Sequence, residues 1–240
     1  MKRNILLGSL VLLAGSLIAA DSTPKDDLTA AAKALGAKSN YSWTTLVDFG
    51  PNAPFTPGPT EGKTEKDGAT WLSVSFNDNT TEGLIKGGKV AVKTEEGWKA
   101  GDTSGGGGGG GGGFNPAAFM TRRMQNLKTP SAEVEDLVSK TKEIKKDGDT
   151  YSGDLTDEGA KALLAGGFGR RGGPPPSDAK GSVKFWVKDG LVSKYESKVT
   201  GKRTNQNGDE VPIDRTTTVE IKNVGTTKLE IPAEAKDKLS

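Results

Sequence analysis

The chain has no cysteine and no histidine. Without histidine there is no Ser-His-Asp or Cys-His nucleophile, no imidazole general base and no imidazole metal ligand. Without cysteine there is no thiolate chemistry, no Cys-based zinc site, no disulfide and no acylated lipoprotein cysteine. Aromatic residues are scarce at 6% of the chain. Catalysis would have to come from carboxylates, Lys, Tyr or hydroxyls.

The first 20 residues have the three parts of an export signal. Lys2 and Arg3 form a basic start, and Ile5 to Ile18 form an apolar run broken by Gly8, Ser9, Gly15 and Ser16. Ala19 and Ala20 supply small residues for cleavage, and polar Asp21-Ser22-Thr23 follows. The apolar run is shorter than the roughly 20 residues of a comfortable span, and no later segment could cross a bilayer. The expectation is cleavage near Ala20 and a protein of the periplasm or the exterior, soluble and with no integral membrane segment. Subtracting Lys2 and Arg3 from the 33 bases leaves 31 against 31 acids. Such a balance provides no overall field for nucleic acid or an anionic membrane.

Residues 21–240 read as one domain. Leu28, Ala31, Ala32 and Leu35 form an apolar stripe at helical spacing, with Ser22 or Thr23 as cap, Pro24 in the first turn and Gly36 as the stop. Period-two segments follow. Tyr41, Trp43, Val47 and Phe49 share one face; Thr70, Leu72, Val74 and Phe76 share another; Val90 and Val92 alternate with lysines. Asp67-Gly68, Gly87-Gly88, Asp147-Gly148, Asp189-Gly190 and Asn207-Gly208 are hairpin turn signals. Short helices are predicted over 116–127, 129–138 and from Thr156 to Gly166. A strand–turn–strand is predicted over 141–155, around Asp147-Gly148. Val183–Val187, Leu191–Val199 and Ile213–Ile221 return to strands, and Leu229 and Ile231 are predicted to end the sheet. One-sided alternation with hairpin turns means an antiparallel sheet with one buried face. The fold class is therefore α+β, a strongly curved antiparallel sheet embracing two or three short helices.

Two glycine-rich loops are expected, at 101–113 and 166–176. Gly105–Gly113 is a run of nine glycines. It is followed by Phe114-Asn115-Pro116, not by the Gly-Lys-Ser/Thr of a phosphate cradle. Gly166–Gly173 resembles an RGG segment, but a single unit in a neutral, exported chain reads as a flexible loop, and no nucleic acid is expected. Arg122, Arg123, Arg170 and Arg171 are candidates for a small basic rim facing an anionic head group; a solvated loop is the plain alternative. The acidic clusters Asp26-Asp27, Asp157-Glu158 and Asp209-Glu210 serve helix starts and a turn. None is set in an apolar context that would prepare a general acid. No catalytic residue, metal ligand or cofactor is expected.

Three stretches resemble a known family: LTAAAKALGAKSNYSWTTLVDF (Leu28–Phe49), GLIKGGKVAVKTEEGW (Gly83–Trp98) and Gly181–Ala235 with its closing IPAEA. They are similar to the LolA-like superfamily of bacterial periplasmic lipid and lipoprotein carriers, in particular the LppX/LprG type. The resemblance implies a half-barrel wrapped around helices with an apolar cavity between. It implies binding, and ferrying, of a lipid or lipid-modified partner. The chain departs from that type in lacking the lipoprotein cysteine and in carrying the glycine tracts.

The expected wall of such a cavity is Trp43, Val47, Phe49, Leu72, Val74, Phe76, Val90, Val92, Phe185, Val187, Val219 and Ile221. The covering helices are short and alanine-rich, which would leave space for a ligand. Trp186 shares a face with Lys184 and Lys188 and is expected outside the core. Two other readings compete. A protein-interaction module of the envelope needs no cavity, so a filled core favours it. A carboxylate-based hydrolase is the third.

Overall fold

The computed structural model describes residues 22–50, 53, 57–76, 79–102, 115–166, 174–205 and 208–240. The signal, the nine-glycine run, Arg170, Arg171 and the side chain of Phe76 lie outside the described residues.

The chain opens with helix α1 (Pro24–Gly36). Its start is built from local chemistry. The Thr23 side chain accepts from the Asp26 backbone N–H at 3.2 Å, and the Asp26 carboxylate accepts from the Thr23 backbone N–H at 3.1 Å. This reciprocal box satisfies two otherwise orphaned donors. Thr23→Ala is expected to lower the unfolding free energy by about 1 kcal/mol. An unchanged urea midpoint would show that the cap does not contribute.

Six strands follow as a meander: β1 (Asn40–Asp48), β2 (Thr60–Glu65), β3 (Thr70–Phe76), β4 (Asn79–Lys86), β5 (Lys89–Thr94) and β6 (Gly97–Ala100). Helices α2 (Pro116–Gln125) and α3 (Pro130–Ser139) lead into a second meander. Its strands are β7 (Lys145–Asp147), β8 (Thr150–Asp154), β9 (Ser177–Lys188), β10 (Leu191–Thr204) and β11 (Glu210–Lys222), with α4 (Asp157–Ala165) between β8 and β9. Helix α5 (Ala233–Leu239) closes the chain.

The two meanders form one antiparallel sheet of 11 strands, in the order β6-β5-β4-β3-β2-β1-β11-β10-β9-β8-β7. Strands β6 and β7 remain edges, so the sheet is a curved half-barrel rather than a closed barrel. The Gly87-Gly88 and Asp189-Gly190 hairpin turns sit where they were read, whereas β5 and β6 are joined at Glu95-Glu96, which carried no such signal. Gly87 and Gly88 (φ 56° and 82°) and Asp189-Gly190 (φ 52° and 73°) take the left-handed conformations that two-residue hairpins demand.

Helices α1 to α4 fill the concave face. Leu28, Leu35, Leu72, Met120, Met124, Val134, Phe185, Tyr195 and Val199 belong to one buried cluster. Helix α2 reaches β4 at Gly83, where an added Cβ would lie 2.8 Å from Met120. Helices α1 and α3 meet closely at Gly36, where an added Cβ would lie 3.2 Å from the Ser131 hydroxyl oxygen. Glycine at that position lets the two helices come together.

Three expectations are corrected. Leu229 and Ile231 are not in a strand. They pack with Trp71, Trp98, Leu84, Ala91 and α5 in a second apolar cluster, on the opposite face of the sheet. Their i, i+2 spacing was satisfied by an extended segment that covers the sheet instead of pairing with it. Strand β2 was not expected, because its inward positions are Thr60, Gly62 and Thr64 and carry no hydrophobic contrast. Four helices, α1 to α4, lie within the curve of the sheet where two or three were expected, and α5 is a fifth among the described residues, on the opposite face.

Candidate functional site

The expected wall residues differ in how far they are buried. Trp43, Leu72, Val90, Val92, Phe185 and Val219 are buried in the packed interior. Val74, Val187 and Ile221 are partly buried against it, and Val47 and Phe49 are also partly buried. Phe76 lies in β3, with its side chain outside the described residues. Trp43 is seated directly over β2: an added Cβ at Gly62 would lie 2.2 Å from its ring. Trp186 points away from this interior, with Lys184 and Lys194 at 5.0 and 4.9 Å from its ring centre.

The inward face becomes polar toward the end where β1 finishes and β2 and β11 begin. Strand β11 alternates Ile213, Arg215, Thr217, Val219 and Ile221, so Arg215 faces the same way as buried Val219. Register places Val47 against Thr217 and Val74 against Thr60. Arg123 of α2 donates to the Thr60 hydroxyl at 3.3 Å. Its Nε is buried and has no hydrogen-bond partner among the described residues. The Arg215 guanidinium donates to the Leu163 carbonyl of α4. Burial lowers both arginines from their usual value, and the nearby Glu133 opposes that shift in each. Guanidinium stays charged across the whole physiological range.

Glu133 enters from the first turn of α3. The Tyr195 hydroxyl of β10 donates to its carboxylate at 2.6 Å. Burial raises the Glu133 carboxyl, and the repulsion of Asp136 adds to that. The Tyr195 bond and the charges of Lys128 and Arg123 act the other way. Asp136 is held below the usual range, because hydrogen bonds from Lys140 and Lys128 outweigh its burial. Tyr195 is pushed well up by burial and by Glu133, so it remains a donor. Tyr41 and Thr129 both reach the Ser131 hydroxyl, at 3.2 and 3.1 Å.

Of the four arginines suggested for a basic rim, Arg123 is in this cluster and Arg122 is exposed on the other side of α2. Arg215 and Glu133 were missed. The signal for Arg215 was present: a charge at an inward position of an otherwise apolar strand face. No group of three or more Asp and Glu among the described residues could hold a metal ion. A depression of about 250 Å³ on the outer face of β8 to β10 is open and polar, lined by Asp154, Lys180, Gly181, Ser182, Lys198 and Thr200. No helix among the described residues is long and apolar enough to cross a membrane.

No family model and no curated protein matches the chain. Solved structures do. The chain is similar to the Mycobacterium tuberculosis lipoprotein LppX, with 8% identity, a TM-score of 0.46, and coverage of 87% of this chain and 97% of that one. It is similar to LprF from Mycobacterium bovis, with 13% identity, a TM-score of 0.44, and coverage of 88% and 98%. It is also similar to a DUF1329 family protein from Desulfovibrio piger, with 10% identity, a TM-score of 0.32, and coverage of 86% and 92%. LppX is a namesake of the family that the sequence resembles. The fold class rests on the strand order and register of the chain itself, not on these likenesses.

Proposed function

We propose that this is an exported, non-catalytic protein of the cell envelope that binds a lipid or similar amphiphile at the polar end of its half-barrel. The observation that carries the reading is the mixed lining of that end. Val47, Val74, Leu163 and Ile213 are only partly covered, and beside them stand the two inward arginines. Burying a charge costs several kcal/mol unless it is paired. An interior evolved only for packing would place apolar side chains at those positions. An acyl chain laid against these half-buried side chains gains about 0.8 kcal/mol per buried CH₂.

The packed part of the interior favours a second reading, an envelope interaction module with no ligand. Trp43 over Gly62 and Met120 over Gly83 leave no room at those points. Native mass spectrometry with lipid extraction, on protein purified from its own envelope, separates the two. Co-purifying amphiphile is the expected result. A clean apo mass, with no binding of a fluorescent fatty acid, leaves the interaction module.

A further inference from the structure

We propose that the polar end of the half-barrel is an oxyanion site, in which Arg123 and Arg215 together hold the carboxylate or phosphate head of the amphiphile. This rests on the reading above and names the head-group class. Four observations carry it. Both guanidiniums point into the concave face, from different elements, α2 and β11. Neither has an acid within ion-pair distance among the described residues; their hydrogen bonds go to a neutral hydroxyl and a backbone carbonyl. The buried Nε of Arg123 is a donor with no acceptor. An oxyanion can take paired N–H groups from a guanidinium fork in a way that water or a single carbonyl cannot.

The chain itself holds little that could fill this role. Glu133 is the one acid whose charge reaches both arginines, and its carboxylate takes its hydrogen bond from Tyr195 instead. One carboxylate between two guanidiniums leaves an excess positive charge on an inward face. A bound oxyanion would supply the missing charge and the missing acceptor together. Arg122, one residue away, is exposed and serves as the control.

The test uses the full mature chain and three probes: cis-parinaric acid, the corresponding alcohol, and inorganic phosphate. The acid is expected to bind about tenfold tighter than the alcohol, the worth of one charge-assisted hydrogen bond. Arg123→Met and Arg215→Met should each remove that preference while leaving the alcohol affinity in place. Arg123→Lys and Arg215→Lys should restore part of it, since they keep the charge but lose the fork, and they cover the case in which a methionine variant fails to fold. Arg122→Met should change nothing. Equal binding of acid and alcohol overturns the oxyanion site and leaves the lipid reading standing. Binding of phosphate alone, lost in Arg123→Met and Arg215→Met and kept in part in the lysine variants, upholds the oxyanion site and overturns the lipid reading. No binding of any probe overturns both. A loss in Arg122→Met equal to that in Arg123→Met overturns the site, because it would reduce the effect to long-range attraction.

Discussion

Gly62→Ala is expected to destabilise the protein by about 3 kcal/mol, at the upper end for overpacking. Alanine ordinarily suits a strand interior better than glycine does. Here the new Cβ would lie 2.2 Å from Cε2 and Cζ2 of Trp43, far inside the normal carbon–carbon separation of about 3.5–4 Å. The indole cannot move aside easily. It is 5% exposed, belongs to the main core cluster and lies 5.9 Å from the Tyr41 ring. Trp43→Ala should cost about 3–5 kcal/mol for the opposite reason, since it empties the same space. The two sites must therefore couple. In a Trp43→Leu background, Gly62→Ala should cost at least about 1 kcal/mol less than in the wild type. Urea midpoints of the four proteins measure this. Equal cost in both backgrounds would mean that the indole does not fill the space over β2.

Tyr195→Phe is expected to cost about 1.5–3 kcal/mol near neutral pH, the range for a hydrogen bond to a charged partner. The bond lost is the 2.6 Å contact to Glu133. Its pH dependence has a definite sign. Burial raises the Glu133 carboxyl in the folded protein, so the folded state holds that proton more tightly than the unfolded chain does. The cost of burying the charge is absent below the ordinary value of about 4.3, grows as pH rises through it, and is fully present above the folded value. The Tyr195 bond lowers the Glu133 carboxyl and so offsets part of that cost. Removing it should widen the deficit above the folded value and narrow it to about 1 kcal/mol in acid, where a neutral hydrogen bond is all that is lost. Urea unfolding of both proteins between about pH 4 and 8 gives the comparison. A deficit that does not change with pH would place the Glu133 charge outside the linkage.

Individual residues show how much of the site could be read in advance. Trp43, Leu72 and Phe185 were placed on the inner face by period two alone, and they are buried there. Arg215 obeys the same parity rule, two residues before Thr217 and four before Val219, and could have been placed by it. Glu133 was harder. It lies on α3 one residue before buried Val134, and helical spacing alone does not show that its carboxylate turns toward β10. Arg123 and Arg122 could not be separated at all, since adjacent residues on a short helix differ by about 100° and only the partner surface decides which is inside. Strand β2 escaped because what makes Gly62 inward is the neighbouring Trp43, not its own hydropathy.

The sequence by itself determined the kinds of element, the turns between most of them and the antiparallel character of the sheet. These depend on periodicity, capping and left-handed turn residues, all of which act over a few positions. The tertiary structure alone decided that β1 lies beside β11, where Ser42 donates to the carbonyl of Lys222, 180 residues away. It also decided that Leu229, Ile231 and α5 cover the outer face under Trp71 and Trp98. Parity states which side of a strand is apolar, but not which strand lies next to it or what covers the other face. Those choices are settled when distant segments bury surface against one another, and the same step carries Arg123 and Arg215, far apart in the chain, to one end of the half-barrel.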